Sequence, residues 1–420
     1  MKEFDIRRNK LMELLPDNSV ALIFSGVAKI KSEDENYPFF ASRDFFYLTG
    51  IEQENSCLML IKCPGERKEY LFLDEYNELK ERWTGKRLSF LQASDISQLE
   101  NIYSNNNFET MLKMALAKEN NIYGEIKNLF LDLSDELKIK PNLSTQIYKE
   151  QLEKEFPHLN IENSHPLVTE LRLVKSESEI NEMIEAINVT NLGINDLLNN
   201  MRIGVVEHEL NARFEYYGKS HGQHDLAFGT IVGSGENGTV LHHPVTQQNR
   251  AIEADDLVLF DLGYRHHGYC ADISRTYPVS GVFNDKQREI YQAVLNCNLA
   301  VIDYIKPGLT IGNLQEYAIS VLKKECLKRG LIKSEDEILK YYIHNVSHFL
   351  GLDTHDVGDR KRPLVPGNVI TVEPGLYFVE DGIGVRIEDD VLVTEDGCQV
   401  LSKGIKKELA DIERLLRNRH

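Results

Sequence analysis

The chain has 420 residues, 42% hydrophobic and 27% charged, which is more than one ordinary core needs and predicts two folded domains. Its 66 acidic residues against 48 basic ones leave a net charge of −18, which excludes a broad basic face for nucleic acid. The opening Met1-Lys2-Glu3-Phe4-Asp5 is charged where a secretory signal is apolar, and apolar runs such as 58–61 and 257–260 are too short to cross a bilayer. Six cysteines without a CxxC pair fit free thiols in a reducing cytoplasm. The expectation is a cytoplasmic protein with neither nucleic-acid nor membrane partners.

In chain order, helical patterns at 2–15 and 109–116 alternate with β-rich runs at 20–24, 45–48, 57–61 and 70–73, which predicts an α/β N-terminal domain. The periodicity lapses across 157–166, where Pro, His and Asn cluster, so the domains are expected at 1–165 and 166–420. Ser176 and Glu179 then form a capping box ahead of Ile180, Met183, Ile184 and Ile187 on one helical face. A second helix is predicted over 206–218, followed by strands over 229–233, 257–263 and 269–276. Asn284 caps a further helix that runs to Lys306-Pro307-Gly308, and another spans 313–330. Strands at 369–372 and 385–393 and a charged helix finish the chain. Helix pairs followed by strands, twice over, predict an α+β C-terminal domain of two similar halves, although no sequence repeat marks them.

Five residues stand in or beside apolar strand patterns: Asp261, Asp272, His348, Glu373 and Glu388. Taken singly, a strand-end ion pair explains each as well as a ligand role does. Together, carboxylates about 4 Å apart would repel by about 4 kcal/mol per pair at an effective dielectric of 20, and a pair of divalent cations relieves this most directly. Four oxygen donors and one imidazole suit Mn²⁺, Co²⁺ or Fe²⁺ better than a thiolate-type structural zinc site. The reaction class implied is two-metal hydrolysis, with a shared water activated as hydroxide. His242, His344 and His355 are candidates to hydrogen-bond the reacting groups, whereas His243, His266 and His267 are expected on the surface. Arg386, two places from Glu388, is expected either to pair with a ligand carboxylate or to sit in an edge ion pair. Cys270 reads as a small core residue.

These motifs resemble the Xaa-Pro aminopeptidase (aminopeptidase P) family of pita-bread-fold metallopeptidases over nearly the whole chain. The likeness rests on Gly235-Glu-Asn-Gly-Thr-Val-Leu-His242, Asp261-Leu-Gly, Asp272-Ile-Ser-Arg-Thr276, His344-Asn-Val-Ser-His348, His355-Asp-Val-Gly358, Val372-Glu-Pro-Gly-Leu-Tyr377 and Gly384-Val-Arg-Ile-Glu-Asp-Asp390. In the first domain it rests on Tyr37–Gly50 and on Arg82-Trp-Thr-Gly-Lys-Arg-Leu88. The resemblance implies an α/β N-terminal domain followed by an α+β pita-bread catalytic domain. It implies that Asp261 and Asp272 hold one metal, His348 and Glu373 the other, and that Asp272 and Glu388 bridge both.

By the same resemblance Glu373 shuttles a proton, His355 stabilises the tetrahedral intermediate, His242 and His344 line the substrate site, and Arg386 backs the ligands. Manganese is the expected metal, with Co²⁺, Fe²⁺ or Zn²⁺ as alternatives, in a homodimer or homotetramer; Trp83 lies in a segment that could reach a neighbour's site, and an ordinary packing role explains it equally well. Substrates would be peptides with proline second. The stretch Phe378–Ile383 is shorter than the loop many relatives carry, which alters one rim of the cleft. Prolidase, which cleaves Xaa-Pro dipeptides and needs a cation for the proline carboxylate, is the nearest alternative. A non-catalytic pita-bread binding protein is the other, and filled ligand positions argue against it.

Overall fold

The computed structural model describes residues 3–118, 123–133, 137–222 and 224–417. The chain divides into two compact units, Met1–Arg172 and Leu173–His420.

The first unit is built on β1 (Ser19–Phe24), β2 (Cys57–Cys63), β3 (Glu66–Leu73), β4 (Ile102–Ser104), β5 (Asn128–Leu131) and β6 (Asn160–Asn163). They form one mixed sheet in the order β6-β5-β1-β2-β3-β4. β1 sits at the middle and is buried along its length, which is why Ser19-Val-Ala-Leu-Ile-Phe24 reads as continuous and not alternating. The expected helix at the N-terminus is α1 (Glu3–Leu14).

One expectation fails here. The aromatic run at 45–48 is not a strand but lies inside α2 (Arg43–Thr49). Gly50 closes that helix in the left-handed region at φ 69°, and its N–H bonds the Phe46 carbonyl. A short apolar run buried on all sides has no period that separates helix from strand.

The second unit repeats one plan twice. Helices α3 (Glu177–Asn200) and α4 (Glu207–Ser220) precede an antiparallel sheet of β7 (Ile231–Ser234), β8 (Leu257–Leu262) and β9 (Ile273–Pro278). Helices α5 (Asp285–Tyr304) and α6 (Ile311–Lys328) precede β10 (Val369–Val372), the hairpin β11 (Gly375–Phe378) and β12 (Ile383–Arg386), then β13 (Asp389–Val393) and β14 (Cys398–Val400). The second three-stranded sheet runs β10-β13-β14. Ser176 and Asn284 cap α3 and α5 as expected, each with its reciprocal side-chain bond. α7 (Leu409–Arg417) ends the described chain.

Two long strands expected from the sequence are each interrupted. The run 269–276 breaks at Ala271-Asp272, and 385–393 breaks at Ile387-Glu388. Both breaks fall at a buried carboxylate whose backbone leaves its own ladder: Asp272 N–H bonds Asp390 Oδ2, and Glu388 N–H bonds the Ser274 carbonyl. Gly263 permits the first break, since a Cβ there would lie 1.9 Å from the Ala271 carbonyl oxygen. Gly384 does the same for the 235–239 turn, whose Gly238 oxygen would be 1.8 Å from an added Cβ.

Candidate metal centre

The five singled-out residues meet at one cleft of about 690 Å³ in the second unit. Asp261 comes from β8, Asp272 from the break before β9, Glu373 from the end of β10, and Glu388 from the break between β12 and β13. His348 lies on an irregular segment sewn to β10: Phe349 bridges Ile370, Thr371 N–H bonds the His348 carbonyl, and His348 N–H bonds Thr371 Oγ1. Glu373 N–H in turn bonds the Val346 carbonyl. These bonds fix both donors in one frame.

His348 Nδ1–H donates to the Phe349 carbonyl at 2.9 Å, which leaves Nε2 as the lone-pair nitrogen. Nε2 points at Asp272 Oδ2, 3.3 Å away, and at Glu373 Oε1, 3.7 Å away. Ligand atoms of Asp272, His348 and Glu388 lie within 4.8 Å of one another. Asp261 Oδ2 accepts from Arg386 Nη2 at 2.6 Å, while its buried Oδ1 has no hydrogen-bond partner among the described residues. An orphaned carboxylate oxygen beside three convergent donors is what a cation site requires.

The electrostatics agree. Burial, and then the charges of Asp261, Asp390 and Glu373, push the Asp272 carboxyl well above its ordinary range. Burial, then Asp272, Glu373 and Asp261, do the same to Glu388. Burial raises Glu373 to about 7, against the pull of His348 and Arg386. Protons are therefore retained where cations are wanted. The residues present fit a pair of divalent ions.

Arg386 does more than pair with a carboxylate. Its Nε–H donates to Ser274 Oγ at 2.7 Å, and Ser274 Oγ–H donates to Glu388 Oε2 at 2.7 Å. Its Nη1 reaches the Tyr377 hydroxyl at 2.9 Å, and that hydroxyl donates to His344 Nε2 at 2.9 Å. His344 Nδ1 bonds the Asn345 carbonyl and stands 3.6 Å from Glu373 Oε2. Thus His344 and His348 approach opposite oxygens of Glu373, from a segment that is neither helix nor strand. Desolvation, then Arg386, lowers His344 to about 4; desolvation, then His348 and Arg360, lowers His355 to about 4. Both imidazoles are neutral near pH 7. The His355 ring lies 4.1 Å from that of His348.

His242 is exposed and lines the cleft. The expectation of a surface His243 is overturned: it is 4% exposed and its Nε2 meets Glu207 Oε2 at 3.3 Å. Glu207, wholly buried, also accepts from Ser234 and Asn237 and so anchors the turn that leads to His242. Of the other two, His267 is exposed but His266 is half-buried, and both turn toward Glu182. Ser274, Thr371 and Tyr377 are site residues that no sequence signal singled out, because a hydroxyl in a strand has no pattern of its own.

Residues 181–395 match the model of metallopeptidase family M24, and residues 4–123 match the aminopeptidase P N-terminal domain. The chain belongs to metallopeptidase family M24. It is 33% identical to the Xaa-Pro aminopeptidase of Haemophilus influenzae, over 99% of this chain and 97% of that one. Among solved structures, a Bacillus anthracis protein assigned as an aminopeptidase P is 41% identical, with a TM-score of 0.94 over 100% and 99% of the two chains. Zinc-substituted Escherichia coli aminopeptidase P in complex with product is 31% identical, with a TM-score of 0.89 over 100% and 98%. The chain is thus similar throughout its length to aminopeptidases of the proline-directed kind.

Proposed function

We propose that this chain is a dinuclear metal aminopeptidase that releases the N-terminal residue of peptides whose second residue is proline. The observation that carries this reading is the convergence of Asp261, Asp272, His348, Glu373 and Glu388 on one cleft, with raised carboxyl pKa values that call for cations. Asp261 and Asp272 would hold one ion, His348 and Glu373 the other, with Asp272 and Glu388 shared. When bound, such a pair polarises the scissile carbonyl and lowers the pKa of a water. Manganese is the proposed metal, because oxygen donors outnumber nitrogen and no thiolate takes part.

The remaining steps belong to the chain. Glu373, which lines the cleft beside the other donors, is placed to carry a proton to the leaving proline nitrogen. Neutral His355 donates to the oxyanion of the tetrahedral intermediate, and neutral His344 and the rim residue His242 orient the peptide. Arg386 holds Asp261 directly and Glu388 through Ser274. We further propose residues 1–165 as the aminopeptidase P type N-terminal domain and 166–420 as the catalytic domain. A homodimer or homotetramer is supported by exposed apolar groups on the first unit, with Trp83 81% and Tyr76 74% accessible. A cytoplasmic location is supported by six free cysteines.

One observation favours prolidase as a second reading: Arg265 and Arg360 also line the cleft, and a guanidinium is what the free carboxylate of a dipeptide would need. Initial rates on Xaa-Pro and Xaa-Pro-Xaa peptides with added Mn²⁺ separate the two. Turnover of the longer peptides is expected; cleavage of the dipeptide alone sinks the aminopeptidase reading.

A further inference from the structure

We infer that Glu182, His266 and His267 form a second divalent-metal site, separate from the catalytic centre and suited to borderline ions of the zinc class. Adjacent residues of a strand face opposite ways, so His266 and His267 should diverge. They do not, because His266 ends its strand and His267 is the first residue of the hairpin loop. Tyr264–His266 pairs with Tyr269–Cys270, which leaves His267-Gly268 as a two-residue loop with φ of 43° and 88°. The left-handed backbone at His267 swings its ring alongside that of His266, with centroids 4.2 Å apart.

Both rings then point Nδ1 at one oxygen, Glu182 Oε2, at 2.7 and 2.9 Å. Glu182 comes from α3, so the three donors join two elements. A third imidazole, His224, stands nearby on another segment, 5.4 Å from His266 by ring centroids. Ligand atoms of the first three fall within 4.8 Å of one another. A tetrahedral zinc ion with bonds of about 2.0–2.1 Å holds its ligand atoms about 3.3 Å apart, so the two nitrogens need only draw back slightly from Glu182 Oε2 to admit it.

The rest of the fold shows why this cluster differs from an ordinary ion pair. In the first unit Asp44, Asp132 and His165 also converge, but Arg172 Nη1 fills that place at 2.9 Å from Asp44. Among the described residues no lysine or arginine pairs with Glu182. Its side-chain partners among the described residues are the two histidines, whose neutral imidazoles are themselves metal ligands. One carboxylate and two imidazoles, with no thiolate, select zinc, cobalt, nickel or copper over calcium and magnesium. His267 is exposed, so ions have access.

The site sits on the opposite side of the strand from the cleft, which Arg265 lines. The hairpin also bonds the loop that carries His355, through Cys270 N–H to the Gly351 carbonyl. A bound ion would clip this hairpin to α3 and stabilise the metal-loaded enzyme.

The test uses enzyme already saturated with Mn²⁺, titrated with Zn²⁺, with retained zinc counted after desalting and the melting temperature followed. Two variants serve as controls: His267→Asn, which keeps a residue tolerant of the left-handed turn, and Glu182→Gln, which keeps the shape and removes the charge. The wild type should retain one more zinc equivalent than either variant and show a zinc-dependent rise in melting temperature that both lack. Loss of one ligand should weaken the site by at least ~10-fold, the lower end of what even outer-shell changes cost. Peptidase activity of His267→Asn without zinc should equal wild type. Zinc retention and melting shifts identical in all three proteins would overturn the site.

Discussion

Glu388 and Asp389 are neighbours in sequence and equally buried, at 2% and 1% exposure, yet their surroundings are opposite. Asp389 is ringed by donors: Arg275 Nη2 at 2.7 Å, Ser402 Oγ at 2.7 Å and Lys407 Nζ at 2.6 Å. Although burial opposes it, Arg275 and Lys407 hold its carboxyl well below the ordinary range. Glu388 receives one hydroxyl and faces Asp272, Glu373 and Asp261, so its carboxyl is pushed up. Asp389 is compensated within the chain; Glu388 stands in a cluster of like charges that the proposed cations would compensate. The contrast separates a carboxylate compensated by the fold from one left among like charges. Burial is the same in both, and only the sign of the surrounding charge decides.

The largest effect should come from breaking the cluster at Glu373, the proposed proton carrier. Glu373→Ala is expected to lower kcat by about 10²–10⁴-fold, read in steady-state assays on an Xaa-Pro-Xaa peptide, with the circular dichroism unchanged. Retention of most turnover would refute the assigned roles.

Asp389→Ala breaks the other side. It strands Arg275 and Lys407 in the interior and should cost about 3–5 kcal/mol in urea unfolding, whether or not metal is present. If the loss appeared only in metal-loaded protein, Asp389 would belong to the centre instead.

Glu388→Gln sharpens the contrast because its sign should reverse with loading. In metal-free protein at pH 8 it removes a carboxyl whose ionisation is opposed by burial and by Asp272, Glu373 and Asp261, and it should raise stability. In loaded protein it should weaken metal retention and lower the melting point. A destabilised metal-free variant would contradict the reading.

Acidity offers a smaller, continuous measure. Glu373 sits at about 7 in the folded chain against an ordinary 4.5. Its folded pKa is raised, so this contribution to metal-free stability is fully present below about pH 4.5 and lost as pH rises through about 7. Bound cations compete with that proton, so the melting-temperature gap between loaded and metal-free protein should widen across this window. A gap that stays constant or narrows would mean that the carboxylates are not the metal's site.

The smallest effect tests the hydroxyl link. Tyr377→Phe removes the bridge between Arg386 and His344 and should cost about 1 kcal/mol, a several-fold fall in kcat/KM. An unaltered kcat/KM would show that His344 is placed without it.

Much of the second unit was legible from sequence because its signals are local. Capping boxes at Ser176 and Asn284, helical spacing from Ile290 to Val301, and the apolar run of β8 are each set by residues within a few places of one another. The five ligand-type residues were legible for a related reason, since an acid or imidazole within an apolar run is conspicuous wherever the chain goes next.

Other features depended on contacts that no spacing encodes. The strand breaks at Asp272 and Glu388 arise from bonds to Asp390 and Ser274, more than a hundred residues away in sequence. The run at 45–48 became helix because an all-round buried apolar segment carries no period, and Gly50 closes it. His243 looked like a surface residue until Glu207 was placed beside it, and the His266–His267 pair converges only because one backbone angle turns left-handed.

The sequence by itself determined which chemistry the chain carries, since donor types and their apolar settings are properties of residues. Tertiary structure alone decided which carboxylates are compensated within the chain and which are gathered among like charges. Electrostatic energy depends on distance through space, and Glu388 and Asp389, one bond apart along the chain, meet opposite charges there.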